Sequence, residues 1–145
     1  MSKLKRGDKA PDFSLPDQEE KVHTLGDYKG RWLLLYFYPK DNTPGCTKEA
    51  CEFRDNFSKL SERIEIVGVS ADSVKSHKGF AEKHRLPFTL LSDSQRKTIK
   101  DYGTDGVILA KRASFLINPK GNIEKIYEKV DPSTHAEEVL KDLKK

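Results

Sequence analysis

Trp32-Leu33-Leu34-Leu35-Tyr36-Phe37-Tyr38-Pro39-Lys40-Asp41-Asn42-Thr43-Pro44-Gly45-Cys46-Thr47-Lys48-Glu49-Ala50-Cys51 decides how the rest of this 145-residue chain is read. Trp32 to Tyr38 is apolar at every position, the pattern of a central strand covered on both faces. Pro, Asp, Asn and Gly then turn the chain into a helical pattern. Thr43 fits the N-cap and Pro44 the first helical position, where its missing N–H is no loss, so Cys46 falls at the third. Unpaired N–H groups and the positive end of the helix dipole favour a sulfur anion there. Ala50, Phe53, Phe57 and Leu60 continue a helical stripe that packs inward, and Cys46, four residues before Ala50, shares its edge. Cys51 is turned about 100° from Ala50. On an ideal helix the Cα atoms of Cys46 and Cys51 lie roughly 8.7 Å apart, beyond the ~7 Å reach of a disulfide. Bonding them requires the first turns to unwind, which favours a transient disulfide over a structural staple.

The length suits one domain spanning 1–145, without internal repeats or linkers. Lys and Arg number 27 against 23 Asp and Glu, for a net charge of +4 and a pI near 9.0. The basic residues are interspersed with acidic ones, so no nucleic-acid footprint is expected. No apolar run reaches membrane-spanning length and Met1–Lys9 is polar, so the expectation is a cytoplasmic protein that binds no membrane. In that reducing compartment, two nearby cysteines read as catalytic. His23, His77, His84 and His135 are dispersed without ligand spacing, and no Gly-rich phosphate loop follows a strand, so neither a metal nor another cofactor is expected.

Pro39, Thr43 and Cys46 form the pattern P-x-x-x-T-x-x-C, and with Cys51 five residues on, the chain resembles the peroxiredoxins of Q type, the bacterioferritin comigratory protein class. Gly7-Asp8-Lys9-Ala10-Pro11-Asp12-Phe13 resembles that family's opening segment, and Arg112-Ala113-Ser114-Phe115-Leu116-Ile117-Asn118 its later arginine-bearing strand. Ser114 and Asn118 depart from the threonine and aspartate common there. The resemblance covers nearly the whole chain. It implies a thiol peroxidase acting on hydrogen peroxide and organic hydroperoxides: Cys46 attacks the peroxide and becomes a sulfenic acid, Cys51 resolves it as an intramolecular disulfide, and thioredoxin or a similar dithiol protein reduces that bond. It further implies that Thr43 bonds the peroxide or the sulfur, that Arg112 stabilises developing negative charge, that Glu49 orients Arg112, and that Pro39 and Gly45 line the substrate pocket.

The remaining chain fits an α/β, thioredoxin-like order with an N-terminal extension and an insertion before the last hairpin. Strands are predicted over Pro11–Leu15 and Lys21–Leu25, then Trp32–Tyr38, with the reactive helix running to about Glu62. A buried strand follows over Ile64–Ser70, then a helix capped by Ser73 and ending near His84, a short strand Phe88–Leu91 and a short helix Gln95–Tyr102. Gly103–Lys111 is expected to be a mobile or functional loop. A hairpin, Ala113–Asn118 with Asn122–Val130, precedes a last helix capped by Ser133. The lack of an exposed apolar stripe points to a monomer or weak homodimer. Two other functions compete. A thioredoxin-like thiol-disulfide oxidoreductase would favour C-x-x-C over this C-x-x-x-x-C and a cis-proline where Arg112 stands; a non-catalytic binding or chaperone module would be indifferent to Cys46.

Overall fold

A computed structural model describes residues 4–106 and 109–143. The elements are strands β1 (Ser14–Pro16), β2 (Val22–Thr24), β3 (Trp32–Phe37), β4 (Ile64–Ser70), β5 (Thr89–Ser92), β6 (Ala113–Ile117) and β7 (Ile123–Tyr127), and helices α1 (Pro44–Asp55), α2 (Phe57–Leu60), α3 (Val74–His84), α4 (Lys97–Asp101) and α5 (His135–Leu143). Five strands form one sheet in the order β5-β4-β3-β6-β7, while β1 and β2 form a separate antiparallel pair. β3 pairs parallel with β4 and antiparallel with β6, so it lies at the sheet's centre as its unbroken apolar run predicts.

Alternation along β3 divides the core in two. Leu34 and Tyr36 face one cluster, with Ala50 and Phe53 of α1, Phe80 of α3, and Ala136 and Val139 of α5. Leu33, Leu35 and Phe37 face the other, with Ala10 and Phe13 of the N-terminal segment, Ile99 of α4, and Tyr102 and Phe115. From Leu33 to Phe37 no residue is more than 1% exposed. Each large apolar side chain so buried contributes about 1.5–3 kcal/mol. Covering β3 on both sides leaves the N-terminal extension a structural task. Gly7, Asp8 and Ala10 bond the backbone of Gly121 and Ile123, and that extension roofs the second cluster.

Besides shifted strand ends, β1 starting at Ser14 rather than Pro11 and β7 ending at Tyr127 rather than Val130, three features depart from expectation. The reactive helix breaks at Asn56, which leaves helical geometry at φ −104°, ψ 7°, and turns its side-chain amide onto the Glu52 carbonyl; α2 then restarts. Asp131, not Ser133, supplies the capping oxygen ahead of α5: its carboxylate accepts from the Ser133 N–H and hydroxyl, at 2.9 and 2.7 Å. A carboxylate two positions back reaches this N–H in the i to i+2 pattern that aspartate favours at turns. The 103–111 segment, expected to be mobile or functional, is tied at its described ends by Lys111 N–H on the Thr104 carbonyl and by a bridge between Asp105 and Ala110; Val107 and Ile108 lie outside the described residues. By contrast, Ser73 caps α3 as predicted, accepting from Ser76 N–H, and Gly121 closes the predicted turn with φ +88°. Among the described residues no helix is long and apolar enough to cross a membrane.

Tyr36 and Gly68 are register partners, and the tyrosine ring lies over the glycine so closely that an added Cβ would meet ring atoms at 2.8–2.9 Å. Gly68→Ala is expected to lower unfolding free energy by about 1–3 kcal/mol through overpacking, read from the midpoint of urea denaturation.

Candidate active site

Cys46 is the third residue of α1 and only 2% exposed. The first-turn N–H groups have no acceptor within the helix, so the sulfur sits beside free donors. Arg112 reaches it from across the sheet. Antiparallel pairing sets Ala113 opposite Phe37, which places Arg112 beyond the end of β3, beneath the start of α1. Its Nη2 donates to Cys46 Sγ at 3.3 Å and its Nη1 to Glu49 Oε1 at 2.7 Å. One half-buried guanidinium thus bridges a thiol and a carboxyl from the same helical turn.

Glu49 is 1% exposed, and its second oxygen, Oε2, is buried without a hydrogen-bond partner among the described residues. Burial pushes its pKa up to about 7 despite the attraction of Arg112. Burial also opposes the charge on Arg112, but Glu49 and Cys46 outweigh it and hold the arginine more firmly protonated than usual. The carboxyl is therefore poised near neutrality while the guanidinium is a fixed charge.

Gly45 is explained by the same arginine. A Cβ there would lie 3.0 Å from Arg112 Nη2 and 3.7 Å from Pro132 in the loop before α5. Pro39 is half-buried at the end of β3. Thr43 departs from expectation. It occupies the N-cap position, but its side chain makes no cap bond; the hydroxyl donates instead to the Lys40 carbonyl at 2.7 Å. The 39–43 turn is tight enough that this carbonyl is the nearer acceptor, so the hydroxyl hydrogen is directed away from Cys46.

The turn itself is fixed by a buried network that no residue spacing announces. Asp41 is 4% exposed and accepts from the Tyr38 hydroxyl (2.6 Å) and the Ser76 hydroxyl (2.8 Å), while its Oδ2 lies 2.7 Å from His77 Nδ1. His77 is completely buried, and its Nε2 faces the Leu91 carbonyl at 3.0 Å. That carbonyl only accepts, so Nε2 carries hydrogen. Asp72 receives the Asp41 N–H and the Ser70 hydroxyl. Although Asp41, Asp72 and His77 cluster closely enough to resemble a metal site, their facing atoms are already engaged with protein donors and acceptors. The network joins the turn to α3 and β5 as a structural anchor. His135, also completely buried, is satisfied similarly, between Ser114 (2.8 Å) and Glu138 (2.9 Å).

Cys51 is partly exposed and faces away, with Sγ 3.9 Å from His84 Nδ1 on α3; both cysteines are free thiols. Burial, then Lys83 and Arg54, lower the His84 pKa, so this ring is neutral beside the thiol. Sequence spacing, with the two 33 positions apart, held no signal for that pairing. A surface cleft bounded by Tyr102, Thr104, Ala113, Phe115 and Ile126 also touches Arg112, but Ala113 and Phe115 belong to the cluster on the sheet face opposite Cys46, so sulfur chemistry does not occur there.

Comparison with known proteins finds relatives over nearly the whole chain. The model of the AhpC/TSA family matches residues 6–126. A bcp peroxiredoxin of Coxiella burnetii is 46% identical over 143 residues, covering 92% of this chain and 95% of its own. The chloroplastic peroxiredoxin Q of Populus jackii is 43% identical over 146 residues, which span 97% of this chain and 68% of that protein. Among solved structures, a cysteine-to-serine mutant of PrxQ from Xylella fastidiosa superposes with a TM-score of 0.94 at 37% identity, covering 99% of this chain and 98% of that one.

Two substitutions test the geometry. Asp41→Ala strands His77, Ser76 and the Tyr38 hydroxyl, and is expected to destabilise the protein by about 3–5 kcal/mol in thermal or urea unfolding. Gly45→Ala forces the guanidinium off Cys46 by a few tenths of an ångström; stopped-flow tryptophan fluorescence should show about tenfold slower Cys46 oxidation with unchanged circular dichroism.

Proposed function

The chain belongs to the AhpC/TSA family, among its Q-type peroxiredoxins, and on that premise we propose which of its residues carry the thiol peroxidase reaction of that group. Cys46 is the nucleophile. Its sulfur attacks one peroxide oxygen, the O–O bond breaks, and water or an alcohol leaves while Cys46 becomes a sulfenic acid. The single observation carrying this reading is the 3.3 Å contact from Arg112 Nη2 to Cys46 Sγ, on a buried sulfur at the donor-rich start of α1. Arg112 stabilises charge as it moves from sulfur to the leaving oxygen, and the free N–H groups of the first turn bind the peroxide. Glu49 holds Arg112 in place, Gly45 leaves room for it, and Pro39 shapes the pocket mouth. Thr43, its hydroxyl hydrogen spent on Lys40, serves the turn and offers the peroxide only an acceptor.

Cys51 is the resolving thiol. α1 is continuous from Pro44 to Asp55, so the disulfide forms only after its first turns open. The break at Asn56 limits how far that opening must spread. The thiol reductant is a thioredoxin, which attacks the partly exposed Cys51 side of the disulfide, and the enzyme works in the cytoplasm as a monomer or weak homodimer, without nucleic acid or membrane. The interspersing of 27 basic with 23 acidic residues along the sequence supports the absence of a nucleic-acid partner.

The test is hydrogen peroxide consumption with thioredoxin, thioredoxin reductase and NADPH. Cys46→Ser is expected to abolish turnover, and Cys51→Ser to complete one oxidation to a trappable sulfenic acid and stop. Undiminished turnover in Cys46→Ser would overturn the assignment.

A further inference from the structure

A single guanidinium contacts two acids at this site, and both lie in a space that water barely enters. Cys46 and Glu49 are 2% and 1% exposed, and Arg112 meets them at 3.3 and 2.7 Å. Two anions on one cation leave a net negative charge in a poorly solvated pocket, an arrangement burial strongly disfavours. Among the described residues, the titratable groups coupled to Glu49 or Arg112 here, Tyr36 and His135, supply no second cation. Tyr36 of β3 is neutral, since burial, then Glu49, hold its hydroxyl well above its ordinary range. His135 of α5 is neutral, because burial lowers its pKa and Arg112 repels a further charge. Glu49 Oε2 is buried and bonds to nothing among the described residues. An ionised oxygen there would be unsolvated and unpaired, whereas a protonated one removes the charge.

We propose that Glu49 stores the proton that peroxide reduction consumes: its carboxyl is protonated while Cys46 is a sulfur anion, and it ionises as Cys46 becomes a neutral sulfenic acid. The inference rests on Cys46 being the nucleophile and adds a proton account to it. In the first step the sulfur anion forms an S–O bond, the O–O bond breaks, and the leaving oxygen takes one proton. Cys46–S⁻, ROOH and Glu49–COOH become Cys46–SOH, ROH and Glu49–COO⁻; sulfur loses two electrons and the peroxide gains two. Arg112 keeps one anionic partner before and after. Resolution by Cys51 then releases water, the dithiol reductant returns two thiols, and Glu49 recovers its proton from Cys46 as the sulfur anion re-forms. Burial places the carboxyl's ionisation near pH 7, where loss of one neighbouring negative charge suffices to flip it.

The experiment is infrared difference spectroscopy of the full-length Cys51→Ser protein, reduced against oxidised with one equivalent of hydrogen peroxide, with sulfenic acid formation verified separately by mass spectrometry. The expected result is loss of a protonated-carboxyl C=O band and gain of carboxylate bands, absent from the Cys51→Ser/Glu49→Gln double variant. Glutamine keeps an oxygen for Arg112, so Glu49→Gln should slow Cys46 oxidation at least about tenfold and erase its rate step near pH 7. Complete oxidation of Cys46 in Cys51→Ser without any carboxyl band change would overturn the proton account while leaving the nucleophile intact, even if the glutamine variants fold poorly. So would an unchanged pH profile in Glu49→Gln. Failure of Cys46 to oxidise would instead remove the reading on which the proposal stands.

Discussion

The contact that organises this molecule is the fork of Arg112, one arm on Cys46 and the other on Glu49. Its ends are separated by more than sixty residues, and only the whole α/β sheet brings them together. β3 must be central so that β6 can lie beside it, and the β3–β6 register must set Ala113 against Phe37 so that Arg112 arrives at the end of the strand where α1 begins. The double burial of β3 supplies the stabilisation that holds this register, since a one-residue slip would turn every core side chain of β6 to the wrong face.

Holding a cysteine at a helix start also demands a rigid approach to that helix. The turn between β3 and α1 passes through Asn42 in left-handed geometry, at φ 63°, and would be easily displaced without its anchor. Asp41 provides it, drawing hydroxyls from Tyr38 and Ser76 and the ring of His77 onto one carboxylate. Buried polar groups are worth their desolvation only when every member is bonded, and here the partners come from the end of β3 and from α3. The reactive turn is consequently referenced to α3 and β5 as well as to its own strand.

Rigidity around Cys46 contrasts with the position of Cys51. The second thiol sits on the far side of the same helix, beside the neutral His84 ring, while Arg54 on that helix ties the His84 carbonyl. Two thiols placed this way on one continuous helix can bond only if the helix between them unwinds. The helix that carries both is short, lying between the Asp41 anchor on one side and the Asn56 break on the other.

Much of this was legible in the residues alone. The apolar run of Trp32–Tyr38, the Pro44 that starts a helix, the placement of Cys46 at its third position and the offset of Cys51 follow from local periodicity and capping chemistry, which are properties of neighbouring residues. Arg112 and Glu49 were reached through family resemblance, and the fold then showed them in contact. Other features were decided only by tertiary structure: the Thr43 hydroxyl turned to Lys40, the Asp41–His77 anchor, His84 beside Cys51, and the partnerless oxygen of Glu49. A hydrogen bond between residues far apart in sequence depends on which acceptor the folded backbone brings nearest, and burial of a charge depends on what packs over it. Neither quantity has a period or a spacing, so the chain determined the frame and the place of Cys46 in it, while packing determined the electrostatics around that sulfur.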